Sequence, residues 1–299
     1  MSIKNVVIIG AGGNLGPSIL KALLNHSSFN VTVLSRKDSD KTFPDKAKVI
    51  RVDYDSFDDL KSAFAGQDAI VSNLATSALA IEPKIIDAAI AAGVKRYLPS
   101  EFGSNTTDPR LVAAVPVSQG KVSIQDYLKS KSKEISYTNV ITGPFFDWGI
   151  KVGFLGINGQ TKTGTLIDGG KAKFSSTNLS QIGLAVVKIL EHAEETKNQD
   201  VFVSSFETSQ KELLEKAEKI TGEKWKVEEL SSKALREEGL KKVQAGDFSG
   251  VVPLLQAAVS GEEALADHSA YLWNEKLGLP KEDLEESIKA GLSGKLVGE

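Results

Sequence analysis

The chain has 299 residues, 41% hydrophobic and 25% charged, an ordinary globular composition long enough for one large unit or two unequal ones. A net charge of −3 offers no basic field to nucleic acid or an anionic membrane, and the lack of cysteine excludes disulfides, thiolate metal sites and cysteine nucleophiles. Met1-Ser2-Ile3-Lys4 leads into an apolar strand without the features of a secretory signal, and no apolar run approaches the roughly 18 residues of a membrane span, so a cytoplasmic protein is expected.

Asn5–Gly10 (NVVIIG) is a continuous apolar run ending in glycine, the pattern of a buried parallel strand. Leu15–His26 then carries Leu15, Ile19, Leu20, Leu23 and Leu24 at helical spacing. Asn30–Ser35 and Lys48–Val52 are short and β-branched, Ser56–Ala65 reads as a helix, and Asp68–Asn73 as a fourth strand. Ile81–Ala92 is a helix closed by Gly93, Lys95–Leu98 a fifth strand, Gln119–Lys131 a helix and Ser136–Thr142 a sixth strand. This alternation implies right-handed crossovers and a parallel sheet covered on both faces.

After Gly143 the pattern changes. Gly143–Gly170 is rich in glycine and aromatics without a clear period, Asn178–Glu195 resumes as a helix, Val201–Ser205 is a short strand, and the chain from Glu212 onward reads as mostly helical and acidic. The expected architecture is an α/β, doubly wound parallel sheet with a smaller C-terminal substrate lobe. Residues 1–143 would form the first unit and 144–299 the second, a smaller α+β lobe, some later elements returning to the first sheet. There are no internal repeats or low-complexity tracts.

Gly10-Ala11-Gly12-Gly13-Asn14-Leu15-Gly16 lies between the first strand and the first helix. Glycine there lets the backbone turn tightly and approach a pyrophosphate, while the helix N-terminus offers free N–H groups to the anion. The spacing is Gly10-x-x-Gly13-x-x-Gly16, with Leu15 where the commoner dinucleotide fingerprint has a different arrangement of glycines. Its place in an alternating chain points to a Rossmann-type nucleotide site, in which Gly10, Gly13, Asn14, Leu15 and Gly16 hold the phosphates and Asn73, ending the fourth strand, borders the cofactor.

NAD enzymes place an acid at the end of the second strand to hold the ribose 2′-hydroxyl. Here the corner reads Ser35-Arg36-Lys37, and two cations with a hydroxyl suit a 2′-phosphate, so NADP(H) is the expected cofactor. Asp38 keeps NAD open, and Arg36 and Lys37 could equally be solvated turn residues. Asp53, before Tyr54, falls where the adenine edge would pass, or else is a strand-end turn.

The fifth strand leads into Lys95-Arg96-Tyr97-Leu98-Pro99-Ser100-Glu101-Phe102-Gly103. With the glycine turn, with Gly120-Lys121-Val122 leading to Ile135-Ser136-Tyr137-Thr138, and with Ile167-Asp168-Gly169-Gly170, this resembles the isoflavone-reductase-like and NmrA-like branch of the atypical short-chain dehydrogenases. The likeness covers most of residues 1–190, is most specific at Pro99–Gly103, and fades beyond residue 200. It implies an NADPH-binding domain with a variable substrate lobe, Phe102 near the nicotinamide end, and Lys121 as the active-site lysine.

Ordinary short-chain dehydrogenases use Tyr-x-x-x-Lys, but Val117 stands in the tyrosine's place before Lys121. A literal Tyr127-x-x-x-Lys131 does occur, yet Lys131 falls at the far end of its helix, away from the strand ends where cofactor binds. Lys121, near the helix start, could orient the cofactor or give a proton to an oxygen gaining charge as hydride arrives; its alternative is a surface lysine.

Phe145, Phe146, Trp148 and Phe154 follow the sixth strand and either line a flat aromatic substrate pocket or pack between the lobes. His26, His192 and His268 share no ligand spacing, so no metal site is expected, and surface or helix-cap roles suit them. The acidic runs near Glu228, Glu237, Glu262 and Glu282 read as solvated helix faces, and no nucleophile elbow is visible. The expected function is NADPH-dependent reduction of a conjugated, aromatic small molecule. The competing function is a non-catalytic, dinucleotide-sensing regulator acting through a protein partner.

Overall fold

The computed structural model describes residues 2–299. The first half alternates as expected: β1 (Asn5–Ile9), α1 (Gly16–Asn25), β2 (Asn30–Arg36), β3 (Lys48–Val52), α2 (Phe57–Phe64), β4 (Ala69–Ser72), α3 (Glu82–Ala91), β5 (Arg96–Leu98), α4 (Pro109–Ala114), α5 (Gln119–Ser130) and β6 (Ser136–Ile141). The second half continues through α6 (Phe146–Lys151), β7 (Ile157–Asn158), β8 (Thr163–Ile167), β9 (Phe174–Ser176), α7 (Leu179–Glu191) and β10 (Gln199–Phe202). It ends with β11 (Phe206–Thr208), α8 (Gln210–Thr221), β12 (Lys226–Leu230), α9 (Ser232–Gln244), α10 (Val251–Ser260) and α11 (Leu284–Leu292).

A seven-stranded sheet in the order β10-β6-β5-β4-β1-β2-β3, parallel throughout, forms the large layer. The apolar run of β1 explains its place at the centre. With side chains alternating across the pleat, Val6 and Ile8 enter the core beneath α1 and α7, whereas Val7 and Ile9 enter the core on the opposite face. Helices α1 and α7 pack so tightly that a Cβ on Gly183 would lie 2.5 Å from the Ser18 carbonyl oxygen. Strand order reverses between β1 and β4, which opens a crevice at the carboxyl ends of the strands.

Elements α7 and β10 lie beyond residue 143 yet belong to this layer: β10 pairs with β6 in register from Gln199 opposite Thr138 to Phe202 opposite Ile141. Arg96 on β5 fastens the junction. It is fully buried and donates to Ser136 Oγ at 2.9 Å, to Thr138 Oγ1 at 2.9 Å, to Thr196 Oγ1 at 3.1 Å, and to the Ala193 carbonyl. Burial among neutral acceptors lowers its pKa to about 10, with Glu194 opposing the shift.

The rest of the second half builds a smaller lobe on two further cores, one joining α6, α8 and α11 and the other joining α4 to α10. From Glu212 onward it is mostly helical, as expected, interrupted by the strand β12. Strand β12 pairs in parallel with β8 and β7 pairs antiparallel with it, while β11 and β9 form a two-stranded ribbon. Every residue of β12 (KVEEL) is exposed, so no alternation of burial marks it in the sequence. Glu228 therefore sits on a strand, not a helix face, and Glu282 is half-buried, accepting from the Ser205 hydroxyl, with burial pushing its carboxyl upward in pKa. Among the described residues no helix is long and apolar enough to cross a membrane.

Candidate active site

The phosphate turn is built by close backbone approach. Gly10 has φ of +77°, and a Cβ there would lie 2.0 Å from the Asn73 carbonyl oxygen. A Cβ on Gly16 would lie 2.3 Å from the Gly10 carbonyl oxygen, which itself accepts from the Gly13 N–H at 3.1 Å. Gly13 is exposed, and a Cβ there would meet only that oxygen, at 3.4 Å, so its outer side is open. Helix α1 begins with no side-chain cap and no acid in its first turn, leaving its free N–H groups to an incoming anion. Turn and helix end together fit a pyrophosphate.

Sequence alone gave no sign of Lys41. Its ammonium donates to the Gly12 carbonyl, folding the loop between β2 and β3 over the turn and adding a cation to its edge. Arg36 and Lys37 stand exposed at the end of β2, with Arg36 Nε 4.0 Å from Asp38 Oδ1, a pair too solvated to hold the arginine from another anion. Ser35 is buried instead, paired across the sheet with Arg51. Asp53 accepts from the Asp55 N–H at 2.8 Å, which closes a turn at the end of β3.

A cleft of about 460 Å³ runs from this turn to the smaller lobe. Gly13, Asn14, Leu15 and Asn73 line one end; Phe102, Lys121, Phe145, Trp148 and Phe154 line the other. Asn73 Nδ2 reaches the Gly10 carbonyl oxygen at 3.4 Å, tying β4 to the turn. Phe145 and Trp148 meet edge to face, ring centroids 6.3 Å apart. Helix α10 supplies a further apolar wall from Val251, Val252, Leu255 and Val259, which the sequence did not single out because their helical pattern resembles that of any core helix.

Phe146 does not reach the cleft. It is fully buried, its ring centroid 4.6 Å from that of Phe206, because it points from the opposite side of α6 to its neighbours Phe145 and Trp148. His268 precedes the short turn Ser269–Tyr271 as its N-cap but is not on the surface: it is 1% exposed, its Nε2 lies 3.2 Å from the Val203 carbonyl oxygen, and burial lowers its pKa. His26 and His192 stand at the C-caps of α1 and α7, as expected, and pair with Glu191 and Glu195. Among the described residues no cluster of histidine and carboxylate side chains could hold a metal.

Lys121 lies in the first turn of α5 and donates from Nζ to the Glu101 carbonyl. A cation at a helix start gains nothing from the helix dipole, so its place is not explained by helix stability. Tyr127 and Lys131 lie at the other end of α5. The Tyr127 hydroxyl donates to Asp87 at 2.5 Å, which with burial pushes its pKa up to about 12, and Lys131 pairs with Glu134 at 3.4 Å.

The profile of the NmrA-like family matches residues 2–253. The chain belongs to that family. A relative named oxidoreductase aprR, from Aspergillus flavus, is 34% identical over 300 residues, covering 98% of this chain and all of its own. Oxidoreductase poxI of Penicillium oxalicum is 32% identical over 286 residues, covering 93% of this chain and 90% of its own. Among solved structures, AtPrR2 with NADP+ and (+)pinoresinol superposes with a TM-score of 0.79 at 20% identity, covering 97% of this chain and 98% of its own, which shows a shared fold.

In this NmrA-like chain the segment Pro99–Gly103 is held from beneath by a buried acid. Glu82, fully buried, accepts from the Tyr97 hydroxyl at 3.1 Å and from the Ser100 N–H and hydroxyl, each at 3.2 Å. Burial raises its pKa, against the hydrogen bonds that oppose the shift. The Ser100 hydroxyl in turn accepts from the Leu74 N–H at 2.9 Å, so one acid fixes two walls of the cleft. Nothing in the sequence distinguishes Glu82 from other glutamates at a helix start.

Proposed function

We propose that the chain is an NADPH-dependent reductase that delivers hydride to a conjugated, aromatic small molecule. One observation carries the reading: a single cleft joins a glycine turn suited to a pyrophosphate to a lysine set among Phe102, Phe145, Trp148 and Phe154. The names of the oxidoreductase relatives and the NADP+ bound by AtPrR2 support it. Residues 1–143, with α7 and β10 returning to the sheet, would serve the dinucleotide; the smaller lobe would shape the substrate side.

NADPH, when bound, supplies the hydride. Gly10, Gly13, Asn14, Leu15 and Gly16 would hold its pyrophosphate, and Arg36, with Lys37 and Lys41 nearby, its 2′-phosphate. Phe102 would border the nicotinamide side and Asn73 the turn that holds the phosphates. Lys121 would either hold the nicotinamide ribose or donate a proton to the substrate oxygen that gains negative charge. The apolar walls exclude water and favour a flat ring over a charged substrate.

The test is NADPH oxidation across quinones, enones and phenylpropanoids, run beside calorimetric titration of the dinucleotide. Turnover on at least one class is expected. Binding without turnover on every class would favour the sensing regulator, and failure to bind NADPH would overturn both.

A further inference from the structure

Among the described residues Glu101 and Lys121 are the charged residues that line the cleft, and they are joined through the backbone: the lysine ammonium donates to the Glu101 carbonyl. Among the described residues Lys121 Nζ has no other partner, so two of its three N–H bonds remain for what enters the cleft. Where the Glu101 carbonyl sits therefore decides where the ammonium sits.

Two further contacts fix that carbonyl. The Glu101 side chain, 2% exposed, accepts from the Thr106 hydroxyl at 2.7 Å. Thr106, itself 5% exposed, accepts from Gln125 Nε2 at 2.6 Å. A hydroxyl has one proton, and here it goes to the carboxylate, so the glutamine must present its amide nitrogen. Gln125 follows Lys121 by one turn on the same face of α5. One helix thus reaches residue 101 twice, directly at its carbonyl and, through Thr106, at its carboxylate. From the other side the Gly103 carbonyl accepts from the Thr142 and Gly143 N–H groups at 3.1 and 2.9 Å, tying the segment to the end of β6.

We propose that the chain of hydrogen bonds Gln125–Thr106–Glu101 positions Lys121 for its work in the cleft. Gln125 lines an outer groove and not the cleft, and Thr106 lines both; each acts on Lys121 through Glu101, so both are positioning residues. The inference rests on the reading of Lys121 as the working group of an NADPH-dependent reductase. Groups that hold a reacting side chain within a fraction of an ångström act on the rate more than on ground-state binding.

The experiment compares Gln125→Leu, Thr106→Val, Thr106→Ser and Lys121→Met with the parent in kcat, KM, NADPH affinity and melting temperature, on whichever substrate the parent reduces. Gln125→Leu and Thr106→Val should each lower kcat by about tenfold with NADPH affinity within about twofold, and Thr106→Ser, which keeps the hydroxyl, should recover most of the loss. Equal losses in Thr106→Val and Thr106→Ser would mean that packing of the methyl group matters and would overturn the proposal, as would full activity in Gln125→Leu and Thr106→Val. Activity lost in Lys121→Met but kept in those variants would overturn the positioning chain alone. A fully active Lys121→Met would overturn the role of the lysine and the positioning chain with it.

Discussion

A Cβ on Gly16 would lie 2.3 Å from the carbonyl oxygen of Gly10, whereas a Cβ on Gly13 would come no nearer to that oxygen than 3.4 Å. The two glycines therefore serve different ends. Gly16 lets helix and turn close on each other, and Gly13 leaves space on the outside. Gly13→Val should fold with a melting temperature near the parent's and lose measurable binding of NADPH and NADH alike, because the obstruction faces the ligand. Gly16→Val should lose stability as well, since the backbone itself must move. Calorimetric titration and thermal unfolding of both variants separate the cases; normal binding by a folded Gly13→Val would place the phosphate site elsewhere.

Arg36 is exposed and 4.0 Å from Asp38, free to turn toward a 2′-phosphate. A charge-assisted hydrogen bond contributes about 1.5–3 kcal/mol, so Arg36→Ser should weaken NADPH by about 10- to 100-fold and leave NADH almost unchanged. Equal losses for both cofactors, measured by titration at one salt concentration, would remove Arg36 from the 2′-phosphate.

Glu82 gives the protein a pH-dependent component of stability. Burial raises its folded pKa above the ordinary value of 4.5, so the native state holds a proton that the unfolded chain releases. Its contribution is fully present below pH 4.5 and is lost as the pH rises through the folded value. Glu82→Gln, uncharged at every pH, should show a flatter melting temperature across that rise. If parent and variant fall in parallel, Glu82 is not the group that titrates.

The parallel sheet was legible because its strands are apolar runs and its helices carry a 3.6-residue period, signals set by burial on both faces. The glycine turn was legible for a related reason, since close backbone contact permits no side chain at Gly10 or Gly16. The smaller lobe was less so. The exposed strand β12 has no apolar face to reveal it, and β7, at Ile157–Asn158, is too short for a period to show. In the site, Lys41 and Glu82 carry no signal in the sequence, because their roles depend on where a loop folds and how deeply a helix start is buried. Phe146 adjoins Phe145 and Trp148 in the sequence, but the turn of α6 sends it into the core. Lys121 stood out only through the family resemblance, and its position at a helix start, where a cation is disfavoured, fits a residue kept for chemistry.

The most direct test of the account is the turnover of Lys121→Met with NADPH and the substrate that the parent reduces fastest. Methionine keeps the length and apolar body of lysine, so the fold should persist. Positioned proton donors contribute about 10²–10⁴ in rate, so the variant should lose about 3–5 kcal/mol of transition-state stabilisation. A fall mainly in kcat assigns proton transfer, and a fall in NADPH affinity assigns the ribose contact. Turnover and cofactor binding equal to the parent's would contradict the account, leaving Lys121 as a lysine that merely borders the cleft.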